Sequence, residues 1–327
     1  MKVVIVHGEI SADAGKDEQD ALVQSEFVAQ SLRALGHKPL VLPFSLNLQA
    51  VAEALKTLHP DRVFNLVETL SGKGSLAHLA PSLLDSLGIP YTGAGTEAML
   101  TTSNKIFAKQ RLKAAALPTP PWLTPDQGEQ AGGISGPWLV KSVWEHASIG
   151  LDEDSVITST DRRILLMEMA RRTPSLGGHP FAEAYIDGRE FNLSLLAGPN
   201  GPEVLPPAEI HFGAYPAGKV RVVGYRAKWE EASFEFQHTP RSFSFPEEDR
   251  PLLKQLRSLA LRCWDLFDLH GYGRVDFRVD WEGRPWILEV NANPCLAPDA
   301  GFHAATREAG LLFPESIKRI LDDISKT

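Results

Sequence analysis

The stretch Gly273-Arg274-Val275-Asp276-Phe277-Arg278-Val279-Asp280-Trp281-Glu282-Gly283-Arg284-Pro285-Trp286-Ile287-Leu288-Glu289-Val290-Asn291 decides how this chain is read. Two runs alternate apolar and polar residues, and Glu282-Gly283 between them is a turn signature, so the spacing predicts a β-hairpin. A symmetric turn at that dipeptide sets Asp276 opposite Glu289 and Arg274 opposite Asn291. Period-two alternation then puts all four side chains on one face. Two like charges directly opposite destabilise a sheet. A hard cation between the carboxylates reverses that, with Asn291 adding an amide oxygen, and such an oxygen set suits magnesium. The alternative is a solvated face whose repulsion water screens. The four residues together, beside Asn293-Pro294, favour a metal site.

Outward from the hairpin, the first hundred residues alternate strand and helix signals. Val3–Val6 is a continuous apolar run, followed at helical spacing by Val23, Phe27, Val28, Leu32 and Leu35, with Gly36 as the stop. Leu40–Leu42 reads as a strand, Leu48–Leu58 as a helix stopped by Pro60, Arg62–Val67 as a strand and Leu76–Leu87 as a helix ending at Gly88. This βαβαβ order predicts a parallel sheet covered by helices, closed by Ile89–Gly93. A helical stretch runs to Lys113. Leu117-Pro118-Thr119-Pro120-Pro121 is a stiff break. Beyond it, Trp138–Val143 reads as a strand and Arg162–Arg172 as a helix. Phe181–Leu196 reads as a hairpin turning at Asp187-Gly188. Glu231–Arg250 is polar and aperiodic, the length of a binding loop or lid. Leu252–Leu269 reads as a helix.

The 327 residues include 33 basic and 41 acidic side chains, a net charge of −8. A net negative surface argues against polynucleotide partners, which need clustered Lys and Arg. Two cysteines, Cys263 and Cys295, are too few for a disulfide framework. No run approaches the ~20 apolar residues of a membrane helix. The short N-terminal run reads as a buried strand rather than a leader, so a cytoplasmic location without a membrane partner is expected.

Three lysines stand in informative places: Lys105 opens a helix after Thr101-Thr102-Ser103-Asn104, Lys141 ends the apolar run Trp138-Leu139-Val140, and Lys228 precedes the irregular loop. Any one alone is by default a solvated charge; Lys141 departs furthest from that default. The small segment Ala147-Ser148-Ile149-Gly150 could cover phosphates with backbone N–H groups. In Ala182–Phe191, Glu183 and Glu190 stand one on each arm, where carboxylates accept bonds from ribose hydroxyls or amino groups. Glu68 ends an apolar strand at the edge where α/β ligands bind, and His7 ends the first strand. Glu68 is read equally as a strand-end acid facing water, whereas for His7 a structural histidine is the default reading.

These pieces in this order resemble the ATP-grasp superfamily, specifically D-alanine–D-alanine ligases and their relatives. The motifs that carry the resemblance are Gly88–Gly95 with Lys105, the Glu183/Glu190 segment, Gly273–Asp276 and Leu288–Asn291. The resemblance implies an α/β (α+β) ATP-grasp fold. Its parts would be an N-terminal α/β substrate domain over 1–100, a central ATP-grasp subdomain over 101–186, and a C-terminal subdomain over 187–327 with the metal site and mobile loop. It implies an ADP-forming ligase that joins a carboxylate to an amine through an acyl phosphate. By position, Lys105, Lys141, Ser148 and Lys228 would meet ATP phosphates. Glu183 with the backbone of Ala184, Tyr185 and Ile186 would hold adenine, and Glu190 the ribose. Asp276, Glu289 and Asn291 would hold two magnesium ions, or manganese in their place, and Arg274 would stabilise the acyl-phosphate and tetrahedral stages.

The chain also departs from the family pattern. Glu18 matches the glutamate of the first glycine-rich loop, but the family's serine falls at Ala147 and its tyrosine at Trp229. The histidine-glycine motif reads Asn65-Leu66-Val67-Glu68, and the Ser-Leu pair falls at Ala300-Gly301. A retained nucleotide and metal site with a rebuilt amino-acid pocket is expected, involving His7, Glu68, Trp229, Asn293, Ala300 and Gly301. Small amino acids or carboxylates are the expected partners, with a homodimer compatible with the resemblance. The alternatives are an authentic D-alanine–D-alanine ligase and an ATP-binding scaffold without catalysis.

Overall fold

The computed structural model describes residues 1–324 except 12–14, 127–135, 145–147, 149 and 160; of residues 16–18 it describes the backbone alone. The chain opens with β1 (Lys2–Gly8), α1 (Lys16–Ala34), β2 (Lys38–Phe44), α2 (Leu48–Leu58), β3 (Arg62–Asn65) and α3 (Leu79–Leu87). The strands form a parallel sheet in the order β2-β1-β3, as the apolar run at Val3–Val6 requires: a strand covered on both faces has no polar side. Val3 and Ile5 pack with Val28 and Leu32 of α1, whereas Val4 and Val6 pack with Val51 and Leu55 of α2 and Leu84 of α3. Tyr91 bridges Val63 in parallel and closes the unit.

Next come α4 (Thr96–Ser103), α5 (Lys105–Ala114), β4 (Trp122–Leu123), β5 (Trp138–Ser142), β6 (Val156–Ile157), α6 (Arg162–Arg172) and β7 (Pro180–Ala184). Asn104 breaks the expected single helix: its backbone is extended, and its side chain caps α5 by accepting from the Ile106 and Phe107 amides. The strands make an antiparallel sheet, β4-β7-β5-β6.

The remainder is β8 (Gly188–Leu196), β9 (Glu203–Val204), β10 (Ala208–Ile210), α7 (Tyr225–Trp229), α8 (Phe234–Gln237), β11 (Arg241–Ser242), α9 (Arg250–Leu266), β12 (Tyr272–Asp280), β13 (Pro285–Asn291), α10 (Gly301–Glu308) and α11 (Phe313–Asp322). Its sheet runs β11-β10-β8-β12-β13, with β9 on β8. Phe302 of α10 and Ile317 and Ile320 of α11 return to the β1–α1 layer. No described helix is long and apolar enough to cross a membrane.

The Phe181–Leu196 hairpin does not form. Strand β7 pairs with β4 and β5, while β8 pairs with β10 and β12, so the two arms belong to different sheets. Gly188 has φ +149° and lies so close to β12 that a Cβ there would stand 2.0 Å from the Val279 carbonyl oxygen. Asp187 does not turn the chain back; it accepts from Trp281 Nε1 at 3.0 Å and pairs with Arg221 at 3.1 Å.

The β12–β13 hairpin does form, with Arg274 opposite Asn291 and Asp276 opposite Glu289. Its turn is one residue longer than expected: Asp280 N–H donates to the Arg284 carbonyl, and Gly283 takes φ +79°. Near the turn Phe277 therefore faces Ile287, and an irregularity next to Asp276 restores the register that joins the carboxylates.

Candidate functional site

A cavity of about 540 Å³ lies where the two antiparallel sheets meet. One wall is Leu139, Lys141 and Glu183–Ile186 from the smaller sheet. The floor is Arg274, Asp276, Glu289 and Asn291 with Glu190 and Asn192 from the larger one. The segment Val222–Trp229 covers it, and Glu68, Asn293, Ala300 and Gly301 close the far end. Leu139, Ile186, Ile210, Val222 and Leu288 add an apolar part to the lining, suited to a flat aromatic base.

On the floor, Arg274 grips Asp276 with both prongs, Nε to Oδ1 and Nη2 to Oδ2 at 2.8 Å each. Asn192 and Asn291 also donate to Asp276, at 2.9 and 3.1 Å. Lys105 Nζ stands 3.4 Å from Glu289 Oε1. Thus two cations hold apart the like charges that the hairpin brings together. Asp276, Glu289 and Asn291 offer only oxygen donors from one face into the cavity. They fit magnesium, which keeps water and phosphate oxygens among its ligands. No cluster of three or more His, Cys, Asp or Glu side chains offers a richer metal site among the described residues.

Sequence alternation singled out Arg274 and Asp276 but passed over Arg278, two residues further on the same face of β12. Arg278 is buried and pairs with Glu190 at 2.8 Å, directly across β8. Burial raises the Glu190 carboxyl above its ordinary range, and Arg278 restrains the rise.

Glu183 is 1% exposed and takes Lys109 at 2.7 Å on one oxygen and Lys141 on the other. Burial alone would raise its carboxyl; Lys109 and Lys141 together hold it below the usual range. Lys109 was not anticipated. The available signal was its place, with Lys105, Ala108 and Leu112, on the buried stripe of α5. Burial lowers its ammonium to about 8 despite Glu183. The Ala184 and Tyr185 amides donate to the Pro121 and Pro137 carbonyls, so two of the three backbone positions expected at adenine already have their donors engaged.

Ser148 lines the cavity with φ +61° and donates from Oγ to the Val223 carbonyl at 2.8 Å, which ties its loop to the cover. Ala147 and Ile149 lie outside the described residues. Lys228 and Trp229 sit on the one-turn helix α7, just before the stretch expected to be irregular. Enclosure by the cleft, then the facing Arg274 guanidinium, lowers the Lys228 ammonium, although the side chain remains in contact with solvent.

At the far end, Gln24 donates to Glu68 at 2.9 Å. Burial, aided by Asp20, raises the Glu68 carboxyl to about 7. Cys295 donates to Asp20 at 2.9 Å, and burial with these two acids keeps the thiol protonated. Asn293 accepts from the Tyr272 hydroxyl and donates to the Val67 carbonyl at 3.2 Å. Ala300 and Gly301 begin α10, where a Cβ on Gly301 would meet Arg241 Nη2 at 3.4 Å. Two expected residues do not line the cavity: Lys105, buried beneath it, and His7, buried with Nδ1 2.8 Å from the Gly8 carbonyl. The side chain of Glu18 lies outside the described residues.

The sequence pattern of the family described as "D-ala D-ala ligase C-terminus" matches residues 125–322. A D-alanine–D-alanine ligase of Moorella thermoacetica is 30% identical, covering 98% of both chains. One from Chromohalobacter salexigens is 31% identical over 98% of this chain and 93% of its own. In three dimensions the chain resembles D-alanine–D-alanine ligase from Bacillus anthracis complexed with ATP, with a TM-score of 0.72 at 20% identity and 99% and 97% of the two chains covered. The cleft between two antiparallel sheets, its paired carboxylates and these similarities agree: the chain belongs to the D-alanine–D-alanine ligase family of ATP-grasp, ADP-forming carboxylate–amine ligases.

Proposed function

We propose that this chain joins two amino acids or related small substrates, with a pocket rebuilt from that of D-alanine–D-alanine ligases. The observation that carries the reading is the meeting, across one cavity, of the Arg274/Asp276/Glu289/Asn291 face with Lys141, Lys228 and an apolar slot. ATP would lie with its base among Leu139, Ile186 and Leu288, its ribose near Glu190 and its phosphates toward Lys141, Ser148 and Lys228. Asp276, Glu289 and Asn291 would hold magnesium, which when bound offsets phosphate charge.

A substrate carboxylate oxygen attacks the terminal phosphorus, and ADP departs. The second substrate's amine nitrogen attacks the acyl carbon. The C–O bond breaks, and phosphate leaves with the oxygen that the carboxylate contributed. Arg274 faces the negative charge that develops at both stages. Glu68, with its carboxyl near 7, is placed to bind the substrate amine or take its proton. Arg241 and the start of α10 face the other end of an amino acid. Trp229 at the cover and Ala300-Gly301 at the far end replace the family's tyrosine and Ser-Leu pair, and these changes support the rebuilt pocket.

The test is a panel of amino acids and small carboxylates, singly and in pairs, with ATP and magnesium, scored by ADP release and product mass. Amino-acid-dependent ADP release with an amide product is expected. ADP release with D-alanine alone, giving its dipeptide, supports the narrower reading that identity near 30% to D-alanine–D-alanine ligases favours. ATP binding with no ADP release across the panel overturns the ligase reading.

A further inference from the structure

We propose that Lys109 is a positioning residue for nucleotide binding: as the fixed counter-cation of Glu183, it lets Lys141 leave that carboxylate for the phosphates. The inference rests on the reading of the cavity as a nucleotide site.

The two lysines on Glu183 are not equivalent. Lys109 is 1% exposed, and three acceptors surround its ammonium: Glu183 Oε2 at 2.7 Å, Thr119 Oγ1 at 2.9 Å and the Pro120 carbonyl at 3.1 Å. The ammonium donates to Thr119 and Pro120 and pairs by charge with Glu183, so it is enclosed by oxygens of the scaffold. Thr119 in turn donates to the Ile287 carbonyl at 3.0 Å, which ties the arrangement to β13. Lys109 is thereby anchored to the scaffold.

Lys141 holds the other oxygen of Glu183, but its side chain lines the cavity, and the Phe181 ring lies 5.7 Å from its ammonium. Rotation toward a bound anion is open to it. Such a rotation strips one cation from a buried carboxylate. With Lys109 in place the carboxylate keeps a partner; without it, the move would strand a buried charge, which is strongly unfavourable. Lys141 would then stay on Glu183, and the nucleotide would lose a contact.

The experiment measures binding of a non-hydrolysable ATP analogue with magnesium by calorimetry, using the full chain. Lys109→Met preserves side-chain length and removes the charge. It is expected to weaken binding by about tenfold or more, since Lys141 becomes the sole partner of a buried acid. Adding Glu183→Gln removes the charge that holds Lys141 and should restore much of the affinity, a rescue that a merely structural lysine would not permit. Binding by K109M equal to wild type, or weaker binding by the double variant than by K109M, overturns the proposal. If K109M does not fold, E183Q and K109M/E183Q decide: equal affinity is expected because Lys109 acts through Glu183, and a further loss overturns it. A wild-type chain that binds no nucleotide overturns the nucleotide reading and this inference together. Wild-type binding with an indifferent K109M overturns this inference alone.

Discussion

Two stretches of this chain carry the same local signals and meet different fates. Tyr272–Asn291 and Phe181–Leu196 each hold two β-prone arms around an acid-glycine turn, with one carboxylate on each arm at the cavity. The first closes on itself, so Asp276 and Glu289 face each other across one ladder. The second opens at Asp187-Gly188, and Glu183 and Glu190 end on different sheets. The difference teaches that a turn dipeptide permits a hairpin but does not choose strand partners. At Gly188 the choice falls to β12, whose backbone lies where a Cβ would stand; at Gly283 nothing lies within 4 Å, and the chain is free to turn back.

The most severe way to break the comparison is at the closed hairpin. Asp276→Asn or Glu289→Gln is expected to lower magnesium-dependent ADP release by at least about a hundredfold while circular dichroism stays native. Rates near wild type in either variant would sink the metal assignment. Gly188→Ala attacks the open segment and forces β8 away from β12. A loss of about 3 kcal/mol in denaturant-monitored stability is expected, and an unchanged midpoint would show that the close approach is not what separates the arms. Gly283→Ala sharpens the contrast: its positive φ costs about 1 kcal/mol without any steric clash.

The finest test is the pH dependence of stability. Glu183 is held below its ordinary 4.5, so it contributes stability above that value which is lost as pH falls through the folded value. Glu190 is raised above 4.5, so stability declines as pH climbs from there through the folded value. Glu183→Gln should therefore flatten the acid limb, and Glu190→Gln the decline above about 4.5. Urea midpoints across pH check both, and identical profiles in the two variants would refute the opposite shifts.

Legibility followed the range of the forces involved. Helices α2 and α6 run over the spans their sequence suggests, because Asn47 and Asp161 cap them with their own side chains. The Asp276–Glu289 pairing was legible from alternation and a turn, although the true register depends on a longer turn and a compensating irregularity. Lys109 was not legible as a partner of Glu183. The two are 74 positions apart in sequence, and nothing local distinguishes a lysine on a buried stripe from one whose stem merely snorkels. The stretch expected to be irregular holds the short helix α8. The one-turn helix α7 just before it ends on Lys228 and Trp229, and Tyr225 at its start donates to the Leu151 carbonyl, a contact across 74 residues.

By itself the sequence determined the parallel first unit, the closed hairpin and the residue types gathered on its face, because apolar periodicity and turn chemistry act over a few residues. Only the tertiary structure decided which strands β7 and β8 would join, which cations would sit on Asp276, Glu183 and Glu289, and that Lys105 and His7 would be buried outside the cavity lining. Those outcomes depend on burial, where a charge must find a partner from whatever element packs against it, however distant along the chain.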